Sequence, residues 1–241
     1  MTRALVTGGT HGIGLAIARA LAADGCDVAI CSRTPDRLHR ATDLLRAAAP
    51  RSEILAMSCD VLDPKQIEQV CDRLTMAWAG TDILICNAGG GGSWGSRDIV
   101  ATADDVWPDV YQKNAGAATQ FTLWAIPHML DRGWGRVVCI TSIGNDRPWF
   151  NMAKAAQTAL MQTLAWQYAR AGITFNCVAP GRIAVGGKED GLTPEALARY
   201  PMGRVGTPEE VASVVRFLCS DEARYVNGAC ITVDGGESVA R

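Results

Sequence analysis

Two stretches of this chain concentrate residues able to do chemistry. The first is Thr7-Gly8-Gly9-Thr10-His11-Gly12-Ile13-Gly14. Glycines at this density permit a tight turn and let backbone N–H groups approach a pyrophosphate, provided a strand precedes them and a helix follows. The second is Ser142 to Lys154, reading S-I-G-N-D-R-P-W-F-N-M-A-K. It carries a hydroxyl, a carboxylate and an ammonium group. Phe150 and Lys154 stand four residues apart, so on a helix they share a face.

The intervening elements have to bring these stretches together. Apolar runs of strand length occur at 4–7, 27–31, 53–57, 82–86, 136–140, 173–178 and 229–233. Between them apolar residues recur at helical spacing, as in Ile13, Ala16, Ile17, Ala20 and Leu21. A long helical stretch is expected from about 103 to 130 and another from about 150 to 171. Strict alternation of strand and helix is the pattern of a parallel sheet covered by helices on both faces. The glycine-rich turn falls between the first strand and the first helix, where a phosphate site requires it. Asp63-Pro64 and Thr207-Pro208 read as N-caps followed by first-turn prolines. Gly25, Gly80 and Gly172 read as helix ends. Gly89 to Gly92 mark a loop or a close approach of backbone to a ligand. No linker or repeat interrupts the chain, so residues 1–241 read as one α/β domain.

Composition narrows the function classes. The chain has 241 residues, 48% of them hydrophobic and 20% charged, and a formal net charge of −2. That balance gives no reason to expect nucleic acid or an anionic membrane as a partner. No run approaches the ~20 apolar residues of a membrane span, and the N-terminus is too short for a signal-peptide core before its glycines begin. The nine cysteines include no C-x-x-C pair. Cys31, Cys86, Cys139 and Cys177 lie in or at the ends of apolar runs, so the expectation is reduced, buried thiols in a cytoplasmic protein, with no metal site.

The end of the second strand bears on which dinucleotide is held. An acidic residue there would bond a ribose 2′-hydroxyl. This strand ends Ile30-Cys31-Ser32-Arg33 without a carboxylate. Arg33 offers a charge-assisted fork to a 2′-phosphate and Ser32 a further donor. NADP(H) is therefore favoured over NAD(H). If Arg33 is only a solvated loop charge, NAD(H) still lacks its acidic partner.

The glycine spacing is Gly-x-x-x-Gly-x-Gly. With C-D-V at 59–61, N-A-G at 87–89, Asn114, Ser142, Lys154, P-G at 180–181 and V-D-G-G at 233–236, the chain resembles the short-chain dehydrogenase/reductase family nearly end to end. The resemblance implies a Rossmann-type, doubly wound parallel sheet of about seven strands. It implies cofactor contacts at Gly8, Thr10, His11, Gly12, Ile13 and Gly14. Asp60 and Val61 are expected at the adenine, and Asn87, Ala88 and Gly89 along the cofactor. Pro180, Gly181 and Ile183 are expected beside the nicotinamide, with residues 182–202 as a substrate lid hinged at Gly186-Gly187 and Gly191. It further implies a homodimer or homotetramer packed through the last strand and the long helices.

For the chemical step the resemblance implies that Ser142 orients substrate, Lys154 holds the nicotinamide ribose and Asn114 supports a proton path. The position of the family's proton-donating tyrosine, four residues before the lysine, is Phe150, which has no titratable group. The loop between Ser142 and Phe150 is also shorter than usual in the family. Three readings stay open. Another group, such as Ser142, Asp146, Tyr200 or a water, handles the proton of a carbonyl substrate. Alternatively the acceptor is a C=N⁺ iminium or its carbinolamine precursor, which needs no proton on the acceptor atom and suits an aromatic ring. Or the chain is a catalytically inactive dinucleotide-binding or assembly subunit. Trp94, Trp149 and Tyr200 border the pocket, fitting a small ring-containing substrate, or else pack structurally. His11 and His128 lie in segments that do not reach the reacting centre.

Overall fold

The computed structural model describes residues 1–91, 94–186, 192–198 and 200–240. The first half runs β1 (Arg3–Thr7), α1 (Gly12–Ala23), β2 (Asp27–Ser32), α2 (Pro35–Ala48), β3 (Ile54–Ser58), α3 (Pro64–Trp78) and β4 (Ile83–Cys86). Next come α4 (Val106–Tyr111), a π-helical turn (Gln112–Gly116), α5 (Ala117–Arg132) and β5 (Gly135–Ile140). The chain continues through α6 (Pro148–Tyr168), β6 (Ile173–Pro180), the short α7 (Pro194–Leu197), α8 (Pro208–Cys219) and β7 (Cys230–Val233).

The seven strands form one parallel sheet in the order β3-β2-β1-β4-β5-β6-β7. The period-two alternation of each strand divides the core in two. Leu5, Leu84, Val137 and Phe175 face α3, α5 and α6, whereas Ala4, Val6, Ile85 and Val178 face α1, α2 and α8. This is the doubly wound arrangement expected from the alternating pattern. Strand order reverses direction at β1 and β4, and such a switch point opens a crevice at the carboxyl ends of the strands. The turn after β1 and the segment after β4 both end there.

The capping signals work as read. Asp63 accepts the Lys65 N–H at 3.0 Å. Thr207 and Glu210 form a reciprocal capping box at the start of α8. The expected helix over 103–130 is corrected in two respects: it begins at Val106, and the π-helical turn interrupts it. The periodicity of a sequence does not register one extra residue in a turn, because apolar spacing on either side stays helical. All nine cysteines are free thiols, eight buried and Cys230 exposed. Among the described residues no helix is long and apolar enough to cross a membrane, and no cluster of side chains is suited to a metal ion.

Candidate active site

The glycine turn is built against β4. The Thr7 hydroxyl accepts from the backbone N–H groups of Asn87 at 3.0 Å and Ala88 at 2.9 Å. The Asn87 side-chain amide donates back to the carbonyls of Thr7 at 2.8 Å and Gly8 at 3.2 Å. Gly8 has φ +66°, and a Cβ there would lie 3.0 Å from Asn87 Nδ2 and 3.1 Å from the Ala88 backbone. Any side chain at Gly8 therefore separates the turn from its support. Thr10 is buried and bonds Ser32 across the mouth of β2 at 3.2 Å.

Helix α1 differs from α3 and α8 at its start. His11 occupies its N-cap position in extended backbone but places no side-chain bond on the helix. The N–H groups of the first turn thus need an acceptor from outside the helix, at the end where the dipole is positive. These groups face a cleft of about 370 Å³ bordered by Gly8, His11, Gly12, Ile13, Gly14, Ser32, Arg33, Val61 and Asn87 to Gly89. Uncapped N–H groups and cationic side chains around a crevice suit the phosphate groups of a dinucleotide. Burial, and then the nearby Arg37 guanidinium, push the His11 imidazole below its usual value.

Residues absent from the expected cofactor contacts also line the cleft, among them Arg37, Lys113 and Val185. Arg33 itself lies 3.8 Å from the carboxylate of Asp60. Lys113 Nζ sits 4.3 Å from the centre of the Trp94 ring. Burial, followed by the Arg33 charge, holds its ammonium below the usual lysine value. A cation at the position before Asn114 was visible in the sequence, but only the fold brings it to the cleft.

The second cluster stands where α6 leaves β5. Lys154 is 7% exposed, and its ammonium donates to the Ile140 carbonyl at 2.9 Å. Burial lowers its pKa to about 8, a shift that the Cys139, Cys177 and Cys86 thiols oppose. Asn114 is fully buried. Its amide donates to the carbonyls of Gly90 at 2.8 Å and Val110 at 2.7 Å, and its Oδ1 accepts from the Gly90 N–H at 3.1 Å. A Cβ on Gly89 would lie 2.5 Å from Asn114 Oδ1 and 3.3 Å from Lys154 Nζ. The two polar side chains therefore converge on one point of the backbone after β4. Ser142 Oγ accepts from the Gly144 N–H at 3.1 Å, which leaves its hydroxyl proton to be donated elsewhere.

Phe150 shares the face of α6 with Lys154, the ammonium standing 5.7 Å from the ring centre. Its neighbour Trp149 is buried against Val110 and Ala153, so this indole packs in the core. Asp146 lies 2.6 Å from Arg97 and 3.6 Å from Arg147, while Arg147 also donates to the Gly95 carbonyl at 2.9 Å. The two loops are thereby tied to each other, and the carboxylate of Asp146 is already engaged by two guanidinium groups. His128 stacks edge-on with Trp124 on α5, in a structural setting.

Pro180 ends β6, and the Gly181 N–H donates to Val233 at 3.0 Å. Glu237 accepts from the Arg182 N–H at 3.0 Å. Ile183 bridges Gly206, and the Ala184 N–H donates to the Gly206 carbonyl at 2.8 Å. Residues 181–184 are thus pinned to the body of the sheet, and Val185 reaches the glycine turn, where a Cβ on Gly12 would meet its Cγ1 at 2.8 Å. Within the expected lid, Thr193 caps α7. The expected hinges Gly187 and Gly191 lie outside the described residues.

A family model described as enoyl-(acyl carrier protein) reductase matches residues 8–238. Dehydrogenase/reductase SDR family member 4 of Bos taurus is 34% identical over 97% of this chain and 86% of its own length. The 4-formylbenzenesulfonate dehydrogenase of Comamonas testosteroni is likewise 34% identical, over 98% of this chain and 97% of its own. Among solved structures, the L-sorbose reductase of Gluconobacter frateurii, complexed with NADPH and L-sorbose, superposes with a TM-score of 0.91 at 31% identity. It covers 100% of this chain and 97% of that one. An actinorhodin polyketide ketoreductase with NADPH gives 0.90 at 30% identity, with 99% and 98% covered.

Proposed function

The chain belongs to the short-chain dehydrogenase/reductase family of oxidoreductases, and from that premise we propose that it is an NADPH-dependent reductase of a small organic carbonyl compound whose proton step does not use a tyrosine. Bound nicotinamide would supply the hydride. Gly8, His11 to Gly14, Ser32, Arg33, Val61 and Asn87 to Gly89 would hold the dinucleotide, since they border a cleft that has both uncapped N–H groups and cations. Among the described residues no carboxylate marks the end of β2 as a partner for a 2′-hydroxyl, and Arg33 stands there instead. The NADPH-bound relatives are consistent with this choice.

The observation that carries the reading is the convergence of Lys154 and Asn114 on Gly89 beside the Phe150 ring. Lys154 is a cation in a nearly dry site, suited to hold ribose hydroxyls and to favour an oxygen that gains negative charge. Ser142 keeps a hydroxyl proton with which to hydrogen-bond that oxygen, while the proton that completes the alcohol would come from water. Phe150 supplies shape and no proton. Because Phe150 offers no proton, a second acceptor is an iminium carbon, which becomes a neutral amine without protonation.

The test is to follow NADPH absorbance with purified protein, a panel of ketones and aldehydes, and a panel of cyclic imines. Carbonyl reduction that rises at least about ten-fold in Phe150→Tyr is expected, since a positioned general acid is worth 10²–10⁴-fold. Turnover of imines alone selects the second acceptor. Tight NADPH binding with turnover of neither class refutes the reading and makes the chain a dinucleotide-binding subunit.

A further inference from the structure

Lys113 is the one charged residue of the π-helical turn, and its position is fixed from both sides. Gln112 Nε2 donates to the Val61 carbonyl at 3.3 Å, and Asn114 exchanges bonds with both backbone groups of Gly90. The turn is therefore tied to the segments that follow β3 and β4, which form two walls of the cleft. A Cβ on Gly90 would lie 3.9 Å from Lys113 Nζ, which places the ammonium over that backbone.

This half-buried cation forms no ion pair among the described residues. Its contact is the Trp94 ring face at 4.3 Å. A cation–π contact offsets only part of the hydration that a half-buried ammonium gives up, and an opposite charge offsets more. An anion in the cleft would provide that compensation. The choice of anion follows from the neighbouring charges. Arg33 already shares its charge with Asp60 at 3.8 Å. A phosphate monoester carries about −1.5 to −2 near neutral pH, more than the remainder of one guanidinium can balance.

We infer that Lys113 is a specificity-determining residue of the cofactor site, supplying, together with Arg33, the positive charge that binds the 2′-phosphate of the dinucleotide. The inference rests on the NADP(H) reading above. Trp94 then holds the ammonium in place when the phosphate is absent, at the start of the loop that Arg147 ties down through Gly95.

Isothermal titration calorimetry of the whole protein with NADPH, NADH, 2′,5′-ADP and 5′-AMP tests it. Lys113→Met and Lys113→Gln should each weaken NADPH and 2′,5′-ADP about ten-fold, the scale of one charge-assisted contact. NADH and 5′-AMP should change less than about two-fold, because they lack the phosphate. Lys113→Arg, which keeps the charge, should retain the preference. The ligand-free variants should melt no lower than the parent, since the half-buried cation they remove has no ion pair among the described residues. Equal weakening of all four ligands, or of none, overturns the assignment. A parent protein that itself prefers NADH sinks the NADP(H) reading, whereas an NADPH-selective parent with an unaffected Lys113→Met sinks the role of Lys113 alone.

Discussion

Lys154 carries its ammonium where little water reaches it. Its folded pKa is lowered from 10.5 to about 8, mainly by burial. Between those values the unfolded chain binds the proton and the folded chain does not. Stability therefore rises with pH across that window: the cost of burying the ammonium is fully present below about pH 8 and is relieved as pH climbs towards 10.5. Lys154→Met removes the titrating group. Chemical denaturation at pH 7 and pH 10 should show the parent gaining stability relative to this variant, by on the order of 1–3 kcal/mol. Parallel profiles would mean that Lys154 titrates normally and that the site is wetter than its 7% exposure implies. The same titration bears on function. The cationic form, which suits a carbonyl oxygen gaining charge, is lost above about pH 8, two and a half units before an exposed lysine would lose it.

At the scale of elements, the start of α1 contrasts with those of α3 and α8. Asp63 and Thr207 complete their helices with side-chain caps, whereas His11 leaves the first turn of α1 open beside the cleft. His11→Asp would place a carboxylate at an N-cap with suitable extended backbone. The ligand-free protein should gain about 0.5–1 kcal/mol, and NADPH should bind about ten-fold more weakly, because the new carboxylate takes the N–H groups and repels the pyrophosphate. Thermal melting and calorimetry read the two effects separately. Unchanged affinity would show that the phosphates do not lie at this helix end. The π-helical turn before α5 is the corresponding device on the other wall. It turns Asn114 into the core and carries Lys113 to the cleft in consecutive positions.

Over the whole molecule, the reversal of strand order between β1 and β4 places the glycine turn, the 87–91 segment and the π-helical turn around one crevice. The outer faces of the two long helices remain apolar in places: Leu123 of α5 is 60% exposed and Trp166 of α6 is 84% exposed. We propose that a homodimer or homotetramer covers these faces, since side chains of this size are costly to leave in water. Light scattering should give at least twice the mass of one chain, and Trp166→Glu should shift it to the monomer. A monomeric parent protein would refute the assembly.

The amino-acid sequence by itself determined the alternation of strand and helix, the place of the glycine turn between β1 and α1, and the shared face of Phe150 and Lys154 on α6. Each of these is set by short-range information: apolar periodicity, glycine clustering, and the four-residue spacing of a helical face. The caps at Asp63 and Thr207 were legible for the same reason. What lay beyond the sequence depends on which distant segments meet. The burial of Trp149 against Val110 and Ala153, with the half-buried Phe150 packed on the same cluster, follows from how α6 meets α4, which no local pattern encodes. Likewise Arg37, Lys113 and Val185 join the cleft from α2, the π-helical turn and the segment after β6. Their side chains carry no signature of a binding site, because an arginine, a lysine or a valine is equally at home on a solvated or packed helix. Only the sheet order, by closing three separated segments around one space, brings those side chains to a common cleft.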